Sequence, residues 1–162
     1  MDLNLKLVSL EIPDGANILV GQSHFIKTVE DIYEAIVNAV PQMKFGVAFN
    51  EASGPCLTRY DGNDSALMMA AVRNASAIGA GHTFVVLIKE GFPVNILGRI
   101  RDVPEVVSIF CATANPVQVV VAESEQGRGV LGVIDGCAPK GVESSEDQDA
   151  RHGFLRKIGY KR

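Results

Sequence analysis

The run "HTFVVLI", His82 to Ile88, is apolar on consecutive positions rather than on alternate ones. A strand with apolar side chains on both faces has to be covered on both faces, so this one belongs in the middle of a sheet. The chain must therefore supply further elements above and below it. The run follows Gly79-Ala80-Gly81, which places one of the chain's three histidines at the mouth of that strand.

With 162 residues, of which 47% are hydrophobic and 21% charged, there is material for one well-filled core, and residues 1–162 read as a single domain. Leu3 to Ile12 alternates as a first strand, with Leu3, Leu5 and Leu7 on one face, and stops at Pro13-Asp14-Gly15. Asn17 to Gly21 is a shorter extended piece. Thr28 caps a helix in which Val29, Ile32, Tyr33, Ile36, Val37 and Val40 recur at helical spacing until Pro41 ends it. "KFGVAF" and "CLTRY" are strands on either side of the loop "EASGP".

Asn63 or Asp64 caps a second helix from about Ser65 to Ile78, which Gly79 or Gly81 terminates in the left-handed conformation. "NILGRIRDV" is a short third helix, and "VVSIFCATA", "PVQVVVAE" and "GVLGVIDG" are β-rich runs. "ESSEDQD" reads as a solvated stretch, and the tail from Gln148, with Phe154, Leu155 and Ile158 at helical spacing and a basic end, reads as a terminal helix. Helices interleave with strands, so the expected class is α/β, or mixed α+β, with one mostly central sheet flanked by helices.

The net charge of −4 and a pI near 5.3 give no broad cationic field, which argues against binding to nucleic acid or to an anionic membrane surface. A small anionic ligand needs only a few local donors and stays open. Cys56, Cys111 and Cys137 lack metal-knuckle or disulfide-framework spacing and read as reduced thiols. The N-terminus lacks a basic segment followed by a long apolar one, and no apolar run reaches the roughly 20 residues of a membrane span. A cytoplasmic protein is expected.

His82 is the residue most suited to chemistry: a neutral imidazole at a sheet end can act as nucleophile or general base. Its plainer reading is a cap for backbone groups at the strand start. "NEASGP" and "ATANPV" place small polar residues after strands, where backbone N–H groups can cradle phosphate oxygens. Ordinary turns look the same. Neither a phosphate-loop pattern nor the dinucleotide glycine pattern occurs, and "GRGVLG" leads into a strand instead of a helix.

Glu51, Asp61, Asp64 and Asp135 border these loops and can hold Mg²⁺ together with substrate phosphates, although capping and turn formation explain Asp61 and Asp64 as well. Lys27 and Arg59 can pair with phosphate, or simply face solvent. His24 can serve a site just before the first helix, whereas His152 lies in the polar tail.

The blocks "GQSHFIKTVEDIYEA", "KFGVAFNEASGPCLTRYDGND", "AGHTFVV", "FPVNILGRIRDVPEV", "CATANPVQVVVAE", "GRGVLGVIDGCAPKGVE" and "FLRKIGYKR" together resemble the small prokaryotic family of adenosine-specific kinases over nearly the whole chain. The resemblance implies a compact α/β protein, assembled as a homo-oligomer (a trimer or a hexamer), that binds ATP, ADP or AMP and carries phosphate on a histidine. That histidine maps onto His82. Ser53, Gly54, Thr113 and Asn115 are the residues expected around phosphate or adenosine, with Lys27 and Arg59 as supporting cations and Glu51 and Asp135 as Mg²⁺ ligands. Three functions fit: a phosphotransferase working through phospho-His82, a non-catalytic AMP or ADP sensor, and, more weakly, a phosphohydrolase.

Overall fold

In the computed structural model, which describes residues 2–162, the chain runs β1 (Asn4–Ser9), β2 (Asn17–Ser23), α1 (Thr28–Ala39), β3 (Lys44–Asn50), β4 (Thr58–Gly62), α2 (Ser65–Ile78), β5 (Thr83–Lys89), α3 (Pro93–Arg101), β6 (Val106–Thr113), β7 (Val117–Glu123), β8 (Arg128–Asp135) and α4 (Ser145–Lys157). The mixed class is the one expected. The strands, however, divide between two sheets: five in the order β4-β3-β5-β2-β6 and three in the order β1-β7-β8. Each neighbouring pair is antiparallel.

The apolar run becomes β5, the middle strand of the larger sheet, and its two faces feed different cores. Phe84, Val86 and Ile88 pack with Ile32 and Ile36 of α1 and with Ile96 and Ile100 of α3. Val85 and Leu87 point the other way, toward Ala71, Ala75 and Ile78 of α2 and toward Val117, Val119 and Val121 of β7. A large aliphatic or aromatic side chain buried in this way stabilises by about 1.5–3 kcal/mol. The second sheet thus shares with α2 the cover of one face, where helices alone were expected.

Small residues on α2 let the helix lie close on β3. At Gly46 a Cβ would sit 2.3 Å from the backbone nitrogen of Met68, so only glycine allows that approach. The helix begins as expected, with the Asp64 side chain accepting from the Leu67 N–H at 2.9 Å, and ends on Gly79 at φ +63°.

Three local expectations change. Thr28 is already the first helical residue of α1, and its hydroxyl donates to the Phe25 carbonyl instead of capping the helix. Val8 of β1 packs on the core, while the Leu3, Leu5 and Leu7 face is left 60–66% exposed. "ESSEDQD" is the first part of α4: Ser144 and Asp147 form a reciprocal capping box that starts the helix three residues before Gln148. No residue of α4 is buried.

Candidate functional site

Three strand ends meet at one edge of the five-stranded sheet: the close of β2 at Ser23, the close of β3 at Asn50, and the start of β5 after His82. His82 ties them together through its own backbone. Its N–H donates to the Asn50 carbonyl at 2.7 Å, and its carbonyl accepts from the Ser23 N–H at 2.9 Å. To make both bonds the residue adopts φ +62°, a left-handed conformation uncommon outside glycine. Strain of this kind is kept where the surroundings enforce it, and functional positions are where it collects.

The Gly-Ala-Gly turn before His82 is fixed from below. The Asn50 amide donates to the Ala75 and Ala80 carbonyls at 2.8 and 3.1 Å and accepts from the Thr58 hydroxyl at 2.8 Å. The loop after β3 lies against the turn so closely that a Cβ on Gly81 would come within 2.8 Å of the Ala52 Cβ.

The half-buried His82 ring faces a cavity of about 340 Å³ shared with His24, Phe25, Ile26, Phe49, Glu51, Ala52 and Ser53. It stacks on Phe49 with centroids 5.8 Å apart, and meets the His24 ring edge-on at 6.2 Å. His24 in turn stacks with Phe25. A concave site with aromatic walls and a few polar groups is the usual form of a small-molecule pocket. A larger cavity, about 730 Å³, lies on the other side of Glu51 and Ala52 and includes Ser76, Gly79 and Arg128.

Glu51 holds the loop. One carboxylate oxygen accepts from Arg59, Nε at 2.9 Å and Nη2 at 2.8 Å, and the other accepts from the Leu57 N–H at 2.8 Å. The Leu57 N–H, with Arg59 second, holds the Glu51 carboxyl below its usual range. Gly54, at φ +64°, gives the loop its turn. On the far side of His24 and Phe25, Lys27 pairs with Asp31 at 2.8 Å and with Glu105 at 3.2 Å.

Of the residues singled out in the sequence, Ser53, Glu51 and His82 line one cavity, Gly54 belongs to its loop, Arg59 on β4 holds that loop through Glu51, and Lys27 lies beside it. Thr113, Asn115 and Asp135 stand elsewhere. Thr113 pairs with Ile18, at the opposite end of β2 from Ser23, five residues or roughly 16 Å away along the strand. There the Asn115 N–H donates to the Thr113 hydroxyl, and its side-chain amide donates to Asp135 at 3.2 Å. Glu51 follows a strand of the larger sheet and Asp135 closes β8 of the smaller one, beside Asn115, and no group of three or more potential metal ligands occurs among the described residues.

Phe25 and Phe49 were not legible as site residues. Phe49 looks like any core aromatic in "KFGVAFN"; its place as the last apolar residue before a polar loop was the available signal.

The chain belongs to the adenosine specific kinase family, whose sequence model matches residues 8–161. Among solved structures it is similar to the PH1918 protein from Pyrococcus horikoshii OT3, with 45% sequence identity, 99% coverage of each chain and a TM-score of 0.96. No curated protein matches. No helix among the described residues is long and apolar enough to cross a membrane.

Proposed function

We propose that the protein is an adenosine-nucleotide phosphotransferase that carries phosphate on His82. The observation behind this reading is the strained backbone at His82, which holds its ring in a cavity beside His24 and Ser53. A lone pair on one imidazole nitrogen forms a bond to the terminal phosphorus of ATP, the bond from that phosphorus to the bridging oxygen breaks, and ADP leaves. The proton on the other ring nitrogen passes to water. Transfer runs in reverse sense: an acceptor hydroxyl attacks phosphorus, the P–N bond breaks, and the hydroxyl proton returns to the imidazole. Positioning and hydrogen-bond donors account for most of such catalysis. On this reading the donors come from Ser53, which lines the cavity, and from the turn at Gly54.

The residues build no dedicated cage for Mg²⁺: both Glu51 oxygens are engaged by Arg59 and Leu57. Mg²⁺ is accordingly read as the companion of the nucleotide phosphates, and no step is routed through it.

A second reading, a non-catalytic AMP or ADP sensor, has one observation in its favour: Arg59 and Lys27 are each already paired with a carboxylate. Phosphorus NMR of the protein with Mg-ATP separates the two. A phosphoramidate resonance absent from His82→Ala supports the transferase; saturable AMP and ADP binding without that resonance supports the sensor.

Self-association is part of the proposal. Leu5 and Leu7 of β1 stand opposite Ala122 and Val120 of β7, so one face of the smaller sheet presents an apolar surface to solvent. Phe154, Ile158 and Tyr160 at the C-terminal end are likewise exposed. A trimer or hexamer would cover them, and light scattering on the wild type and on Leu5→Asp tests this. The three free cysteines suit a reducing, cytoplasmic setting.

A further inference from the structure

Helix α4 is well formed yet packs on neither core of its own chain. None of its residues is buried, and among the described residues neither apolar core includes any beyond Val133. A 13-residue helix is marginal in water by itself, and Gly153 in its interior weakens it further. Phe154, Leu155 and Ile158 nevertheless share one face, at the spacing by which a helix meets a packing partner.

The outer face of the smaller sheet has the converse form. Leu5 and Leu7 of β1 make one wall of a shallow trough, and Leu131, the extra residue that a register shift leaves on β8, makes the other. Val120 and Ala122 of β7 form the floor, paired with Gly132 and Gly129 of β8. Neither glycine has a positive φ, and a Cβ on either would meet no atom of the chain. Nothing within one copy therefore requires glycine there, whereas close approach by a second molecule does. The dimensions also agree: the eight residues of β8 span about 27 Å and the 13 of α4 about 20 Å.

We propose that α4 of one copy docks in the trough of another copy's smaller sheet, with Phe154 over Gly129 and Gly132. This rests on the self-association reading above and assigns its contact. Five Leu and Ile side chains on the sheet face, together with Phe154, Ile158 and Tyr160 at the chain's end, stand 44–66% exposed. At roughly 100 Å² each, these eight cover about 800 Å² per copy, the share that each partner contributes to a stable interface. The contact joins two different surfaces, so each copy both gives a helix and receives one.

The test is light scattering after size exclusion on the intact wild type, on Phe154→Lys, on Leu7→Glu and on an equimolar mixture of the two variants. The wild type should associate, and each variant alone should fall to the mass of a single chain. The mixture should regain association, because an intact helix then meets an intact sheet and the two new charges attract. Should Leu7→Glu lose its far-UV circular dichroism, Gly132→Glu replaces it, since a side chain there touches nothing in the chain. A wild type of single-chain mass would overturn both this contact and the self-association reading. An associated wild type whose variants keep its mass would overturn the contact alone. Variants that dissociate without recovery on mixing would also overturn it, by assigning helix and sheet to separate contacts.

Discussion

Asn50 and His82 are bonded through the main chain, the His82 N–H reaching the Asn50 carbonyl at 2.7 Å, while the Asn50 amide holds the end of α2 and the glycine turn that leads to the histidine. One buried residue thus sets the height of the strand mouth through its main chain and the turn before it through its side chain. Asn50→Ala leaves the Ala75 and Ala80 carbonyls without that donor, at a cost of about 1–3 kcal/mol. Chemical denaturation should show the loss, and adenosine-nucleotide affinity should fall with it, because the cavity wall is no longer fixed.

The left-handed backbone at His82 separates the conformational role of the residue from its chemical one. Glycine adopts φ +62° freely, whereas a β-branched residue resists it. His82→Gly should keep its melting temperature within a few degrees, with roughly 1 kcal/mol of relieved strain offsetting lost ring packing, and should lose all phosphate uptake. His82→Val should be the less stable of the two by about 1–2 kcal/mol. Thermal melts of the pair, run side by side, check the order.

Close packing of α2 on β3 has its own test. Gly46→Ala drives a methyl into the Met68 backbone, which no rotamer change can relieve. A loss of about 3 kcal/mol is expected, measured by denaturant unfolding, with nucleotide binding preserved at low temperature in the fraction that stays folded.

The loop that carries Ser53 should be acid-sensitive. Because the Leu57 N–H and Arg59 lower the Glu51 carboxyl in the folded protein, its contribution is present above the ordinary value of 4.5 and is lost as pH falls through the lowered folded value. Melting temperature followed downward from about pH 6 should show a decline in the wild type that is smaller in Glu51→Gln. An identical decline in both proteins would remove Glu51 as the group responsible.

Much of the chain's architecture could be read from local pattern. The consecutive apolar residues of β5 required cover on two faces, and of the two caps and two stops legible around α2, Asp64 and Gly79 are the ones used. What escaped was non-local. Nothing in the alternation of β1 shows that its pairing partner is β7, more than a hundred residues away, so the existence of a second sheet and the outward turn of Leu3, Leu5 and Leu7 could not be read from spacing. The capping box at Ser144 was legible, and its acidic company concealed it.

The site shows the same division. His82 stood out through its glycine turn, and Ser53 and Glu51 through their loop; the strand order then placed Thr113 at the far end of β2, with Asn115 bonded to Asp135 of the smaller sheet, which no spacing rule reveals. Phe49 acquires meaning only once β3 lies beside β5.

The most direct measurement is the intact mass of the protein after incubation with Mg-ATP at neutral to basic pH, for the wild type and His82→Ala, with a brief acid step afterwards. A phosphate-sized mass gain in the wild type alone, erased by acid, is the expected result. No gain in the wild type, with AMP or ADP still bound, would contradict a phosphohistidine intermediate and leave His82 as a residue that only holds the nucleotide.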